Sequence, residues 1–252
     1  MLEVAHLCKS FGGVDAVSDV SFSVAAGEMV ALIGPNGAGK TTCFNLVNGQ
    51  LAPDAGTVSL DGKRIDGLPP RAIARMGVGR TFQVAATFAS MTVRENVQLA
   101  LLAHADRHAG VGARATDCLT GDADAILADV RMTRYADDGC ATLAYGDAKR
   151  VELALALAGA PRLLLMDEPT AGMSQRSRER LMALTAEHAR RESIAVLFTE
   201  HDMDVVFGHA DRVIVLDHGR VVAEGTPEAI RANAKVRAVY LGEDARTPDG
   251  SG

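Results

Sequence analysis

At 252 residues, 48% hydrophobic and 23% charged, the chain has an ordinary globular composition and can bury a core without disulfide or metal staples. A net charge of −6, 4% aromatic content and no Trp exclude a basic, base-stacking surface for nucleic acid. The longest uncharged runs, Thr41–Pro53 and Thr81–Val93, are 13 residues each, short of the roughly 20 that span a bilayer.

Cys8, Cys43, Cys118 and Cys140 form no C-x-x-C pair and are expected as reduced thiols of a cytoplasmic protein. The opening Met1-Leu2-Glu3-Val4 shows neither a basic nor an apolar leader region, so any membrane role is expected to come from a partner.

Residues 2–7 alternate as a strand, and Val20, Phe22 and Val24 mark the inward face of a second. Between them, Ser10-Phe11-Gly12-Gly13 forms a turn; by spacing alone Phe11 reads as a core-edge side chain, with outward projection the alternative. The apolar run Met29–Ile33 then leads into Gly34-Pro35-Asn36-Gly37-Ala38-Gly39-Lys40-Thr41-Thr42, which opens a helix over about 40–48. Strand, glycine-rich turn and helix N-terminus make an anion site, because backbone amides and the helix dipole converge on a phosphate. Lys40 is placed to bridge β- and γ-phosphates, and the Thr41 hydroxyl to ligate Mg²⁺.

Thr57–Leu60, Asp61-Gly62 and Arg64-Ile65 read as a hairpin, Pro69-Pro70 as the start of a short helix to Arg75, and 77–82 as a strand ending on Gln83. Helices are predicted over 92–103, 123–133 and 147–159, with breaks at Gly110–Gly112 and Asp137–Gly139. Alternation of strand and helix resumes with strand 163–167, helix 174–190, strand 194–199, helix 202–209 and strands 212–216 and 220–223. Thr226-Pro227-Glu228 then caps a short helix. The expected fold is α/β, with a mostly parallel sheet, an antiparallel N-terminal β part and an inserted helical subdomain. The expected divisions are 1–83 with 160–242 as the sheet domain, 84–159 as the helical subdomain, and 243–252 as a disordered tail.

In a parallel sheet, ligands collect at the carboxyl ends of strands. There, Asp167 suits a Mg²⁺ ligand and Glu168 a base for the attacking water; His201, after strand 194–199, can orient that water, and Gln83 can reach Mg²⁺ and water through its amide. Leu143–Asp147, before Lys149-Arg150 and a helix over 151–158, supplies a second helix N-terminus preceded by glycine.

The set Gly34–Thr42, Gln83, Leu143–Asp147, Leu163–Glu168, Ala171–Ser174 and His201 resembles the ATP-binding subunits of ABC transporters over residues 2 to about 242, a P-loop NTPase fold. The resemblance implies ATP hydrolysis with Mg²⁺ and a second, identical or paralogous cassette. It further implies that each ATP is sandwiched between one chain's loop and the signature of the other, here Ala144, Tyr145, Gly146 and Asp147. Phe11 falls where the family stacks an aromatic on adenine. Membrane permease subunits, a periplasmic solute-binding protein acting through them, and a peripheral place on the cytoplasmic face of the inner membrane are implied as well. The stretches Ser10–Gly13, Gly79–Gln83, Leu143–Gly146, Glu200–Met203 and Val239–Glu243 resemble the importers of branched-chain amino acids or amides. Ala144 replaces the usual signature serine, Ser174 the usual aspartate, and the helical insertion is short for that subgroup. Three other readings are weighed: an ATP-gated scaffold with little turnover, against which Glu168 and His201 stand; the ATPase of another ABC system, for urea or lipid export; and a DNA-associated ATPase, for which 84–142 lacks sustained heptads.

Overall fold

The computed structural model describes residues 1–81, 87–104 and 119–241. Gln83, Cys118, the break at Gly110–Gly112 and the tail 243–252 lie outside the described residues. The strands among the described residues are β1 (Leu2–Phe11), β2 (Val14–Val24), β3 (Met29–Ile33), β4 (Ala55–Leu60), β5 (Lys63–Arg64), β6 (Val78–Thr81), β7 (Leu163–Asp167), β8 (Ala195–Thr199), β9 (Arg212–Asp217) and β10 (Arg220–Gly225). The helices are α1 (Lys40–Val47), α2 (Pro70–Arg75), α3 (Val93–His104), α4 (Thr120–Asp129), α5 (Tyr145–Leu157), α6 (Gln175–Glu192), α7 (Met203–His209), α8 (Pro227–Ala232) and α9 (Ala234–Leu241).

One sheet is antiparallel in the order β2-β1-β4-β5; the other runs β10-β9-β3-β8-β7-β6 and is parallel except at β10. The parallel strands are buried on both faces, which explains their unbroken apolar sequences. Alternation sorts their side chains between two cores. Val30, Leu32, Leu163, Leu165, Leu197, Ile214 and Leu216 pack with the antiparallel sheet and α1. Met29, Ala31, Ile33, Leu164, Met166, Val196 and Phe198 pack on the opposite side with residues of α3, α4, α5, α6 and α7. The helical segment therefore shares a continuous core with the sheet.

Several boundaries move for identifiable reasons. The first strand extends to Phe11, with register irregularities after Val4, Leu7 and Lys9, and Gly12 and Gly13 make the turn at φ 56° and 87°. Phe11 is 47% exposed, so it projects outward and is not a core-edge side chain. The helix expected over 123–133 spans Thr120–Asp129 instead. It stops because Arg131 turns left-handed at φ 55° and the Met132 amide donates back to Leu127 carbonyl oxygen, which buries Met132. Helix α5 begins at Tyr145, so Gly146 sits in its first turn and does not precede it. Helix α9 has no counterpart in the sequence reading.

Candidate nucleotide site

The loop 34–39 joins β3 to α1 at the carboxyl edge of the parallel sheet, where β8 and β9 flank β3. Close packing fixes it there. A Cβ on Gly34 would stand 2.2 Å from Leu216 carbonyl oxygen, and one on Gly39 2.4 Å from Ala16 carbonyl oxygen, so no other residue fits either position. The N-terminus of α1 has neither a side-chain cap nor an acidic residue in its first turn, which leaves amides and dipole for an anion. Pro35, Asn36, Gly37 and Ala38 line an open cleft of about 360 Å³ with Asp217 and His218. Lys40 is buried, and its Nζ donates to Gly34 and Pro35 carbonyl oxygens at 2.7 and 3.1 Å. Burial holds its ammonium below the usual lysine range, against the opposing pull of Glu168 and Asp167. Thr41 is exposed and Thr42 half-buried.

The carboxylates come from the next strands along. Register pairs Asp167 with Thr199, and the Thr199 hydroxyl donates to Asp167 Oδ1 at 2.7 Å while accepting from the Glu168 amide at 3.0 Å. One buried hydroxyl thus fixes the Asp167 carboxylate and the Glu168 backbone together. Glu168 itself is left-handed, at φ 47°, a conformation that costs about 1–3 kcal/mol in a residue other than glycine and persists only where its surroundings impose it. Glu168 Oε1 lies 2.7 Å from His201 Nε2. A second clamp lies beneath: buried Glu200 accepts from the Thr170 amide and hydroxyl at 2.9 and 2.6 Å and from the His201 amide at 3.2 Å. Sequence reading missed Thr199, Thr170 and Glu200 as supports; their signal lies in the register of β7 and β8, which brings the segments after those strands together.

These groups fit a nucleoside triphosphate with a hard divalent cation. A cation of that type takes a carboxylate and a hydroxyl together with phosphate oxygens, and Asp167 and Thr41 are of those donor types.

The remaining predicted residues lie apart. Ala144 starts α5 without a side-chain cap, Tyr145 is 52% exposed, and its hydroxyl donates to Ala171 carbonyl oxygen at 3.1 Å. A Cβ on Gly146 would meet Ser177 Oγ at 3.1 Å, and Asp147 pairs with Arg150. Tyr145 and Gly146 are thus braced on Ala171 and on the first turn of α6. Ser174 caps α6 by accepting from the Ser177 amide at 3.4 Å. Phe11 extends from the end of β1 with Lys9 Nζ 5.6 Å from its ring, and Asp54 holds Lys9 at 2.7 Å.

The model of the ABC transporter family matches residues 17–171. A second, described as branched-chain amino acid ATP-binding cassette transporter, matches residues 220–246. The chain is 40% identical to the high-affinity branched-chain amino acid transport ATP-binding protein BraF of Pseudomonas aeruginosa, covering 96% of this chain and 98% of that one. Its fold is similar to an ATP-binding cassette of an ABC transporter in its ADP conformation, with TM-score 0.85, 29% identity, and 96% and 99% of the two chains covered. It is also similar to a dimeric post-hydrolysis cassette bound to ADP and Pi, with TM-score 0.76, 26% identity, and 90% and 99% covered. This chain therefore belongs to the ABC transporter family, as an ATP-hydrolysing, ATP-binding subunit.

Proposed function

We propose that this subunit drives an importer for branched-chain amino acids or related amides, and that 34–42, Asp167, Glu168 and His201 form its catalytic half-site. The observation that carries the reading is the meeting of Glu168 and His201 at 2.7 Å beside an acid that Thr199 orients, in the field of Lys40. The backbone N–H groups of Asn36–Gly39 and of Lys40, Thr41 and Thr42 bind the phosphates of ATP, with Gly34 and Pro35 shaping the turn, and Phe11 stacks on its adenine. Lys40 leaves its two carbonyl partners for the β- and γ-phosphates. Mg²⁺, when bound through Asp167, Thr41 and Gln83, neutralises charge on the transferring phosphoryl group. Glu168 accepts a proton from the attacking water, and His201 fixes the rotamer of that carboxylate.

Ala144, Tyr145, Gly146 and Asp147 complete the site of a second cassette, since α5 offers an uncapped N-terminus there. On this reading 1–83 and 160–242 carry the nucleotide, and 84–159 serves as the signature subdomain. Permease subunits dock around residues 84–91, fed by a periplasmic solute-binding protein, which places the subunit at the inner face of the membrane. Residues 84–86 lie outside the described residues; Phe88, within them, is 57% exposed. No helix among the described residues is long and apolar enough to cross a membrane.

Glu168→Gln tests the half-site. ATP binding should persist while hydrolysis falls by about 10²-fold or more, the usual scale of a lost general base. An ATP-bound dimer should accumulate on size exclusion, and His201→Ala should give a similar, milder defect. Undiminished turnover by Glu168→Gln in the assembled transporter would move the base elsewhere.

A further inference from the structure

Arg80 stands on β6, the edge strand beside β7, with its side chain only 15% exposed. Among the described residues, its guanidinium meets α1, the turn beyond it and the end of β7. Nη1 donates to Asn45 Oδ1 on α1 and to Gln50 Oε1 just beyond that helix, each at 3.2 Å. Nη2 lies 3.6 Å from Asp167 Oδ2 at the end of β7. Arg80 and Gln50 also line a groove of about 310 Å³, walled by Pro70, Ile73, Glu152 and Leu155 among others. One side chain therefore faces both the groove and the Asp167 carboxylate.

The two oxygens of Asp167 are held differently. Oδ1 accepts a direct bond from Thr199 at 2.7 Å. Oδ2 has the guanidinium at 3.6 Å, longer than the roughly 2.7–2.9 Å of a direct charge-assisted bond. Arg80 thus offsets the charge on Oδ2 without tying it down, and a small displacement changes how much negative potential that oxygen presents.

We propose that Arg80 is a positioning residue that sets how tightly Asp167 holds its divalent cation, with Asn45 and Gln50 fixing where its guanidinium rests. The proposal rests on the assignment of Asp167 to that cation. A cation at Oδ2 and the Arg80 charge repel each other, so the two compete for one carboxylate. Drawing the guanidinium toward Gln50 frees Asp167 for the cation; releasing it weakens the hold. The chain of contacts is short: Gln50, Arg80, Asp167.

Equilibrium binding of Mn²⁺ in the presence of ATP, followed by electron paramagnetic resonance, tests this in a Glu168→Gln background that prevents turnover. Arg80→Gln should bind Mn²⁺ roughly 3- to 10-fold more tightly, since a partly screened opposing charge is removed. In the chain with Glu168 intact, the same change should lower kcat while lowering the apparent KM for the cation. A purely structural lesion would not produce that split. Arg80→Lys should stay within about twofold of the parent. Gln50→Glu, which places a carboxylate where the amide now takes the guanidinium, should tighten Mn²⁺ binding from the groove side. Unchanged Mn²⁺ affinity in folded Arg80→Gln, or in Gln50→Glu should Arg80→Gln fail to fold, would overturn the proposal. Absence of any Mn²⁺ binding by the parent in the presence of ATP would instead overturn the assignment of Asp167, and the role of Arg80 with it.

Discussion

At the scale of single residues, the site is a mixture of groups that announce themselves and groups that do not. Lys40 belongs to a motif whose spacing dictates its chemistry; its buried Nζ now rests on two loop carbonyl oxygens. Lys40→Ala should therefore cost about 1.5–3 kcal/mol in ATP binding, roughly 10- to 100-fold in Kd, read by calorimetric titration. Unchanged affinity would refute the role of the loop. Thr199 is the opposite case. Nothing in its neighbourhood of sequence marks it, because its partners are 32 and 31 residues away. Thr199→Val removes the donor to buried Asp167 Oδ1 and should destabilise the fold by about 1–3 kcal/mol, measurable by denaturant unfolding. Its turnover should fall further than its ATP affinity, since Asp167 and Glu168 lose their common support. Phe11 shows the limit of periodicity: a hydrophobic residue after an alternating strand reads as core, and only the turn at Gly12-Gly13 decides that it projects outward. Cys43, by contrast, behaves as the apolar residue it looks like; burial pushes its thiol up to about 12 and keeps it unreactive near neutral pH.

At the scale of elements, strands were legible where burial on both faces makes them uniformly apolar, as in β3, β7 and β8. Helix ends were less so, because they depend on backbone turns such as Arg131 and on what the last apolar residue packs against. The same packing leaves a pH signature. His188 on α6 and His209 on α7 are both held below the ordinary imidazole range, first by burial, with Asp129 and Glu179 respectively pulling the other way. A folded pKa below the unfolded value of about 6.5 means that the unfolded chain takes up the protons first as pH falls. Stability from these two groups is complete above that value and is lost as pH drops through their folded pKa. Glu152 works in the opposite direction, because burial favours its protonated carboxyl against the ion pair with Lys149. Thermal unfolding should come earlier at about pH 5.5 than at about pH 7.5, and His188→Gln should narrow the gap. An unaltered gap would show that His188 does not contribute. The exposed Phe88 ahead of α3 is the element-level test of docking: Phe88→Glu should abolish co-purification with the permease and leave ATP affinity unchanged.

At the scale of the whole molecule, the two halves of the machinery sit on different parts of the chain. Lys40, Asp167, Glu168 and His201 gather at the carboxyl edge of the parallel sheet, whereas Ala144–Asp147 open α5 and brace against 171–177. That division was legible only through resemblance; spacing along the sequence gives α5 an ordinary helix start. The proposed mechanism follows from it: one chain holds the phosphates and the base, and a second chain closes the site with its signature. Because Ala144 has no hydroxyl to offer, the pairing should be weaker than that of a serine-bearing cassette. The direct measurement is the ATPase rate per mole of isolated protein across about two decades of concentration, since dimer population follows mass action. The two-chain account predicts a low specific activity that climbs with concentration. A flat, high specific activity from a proven monomer would contradict it.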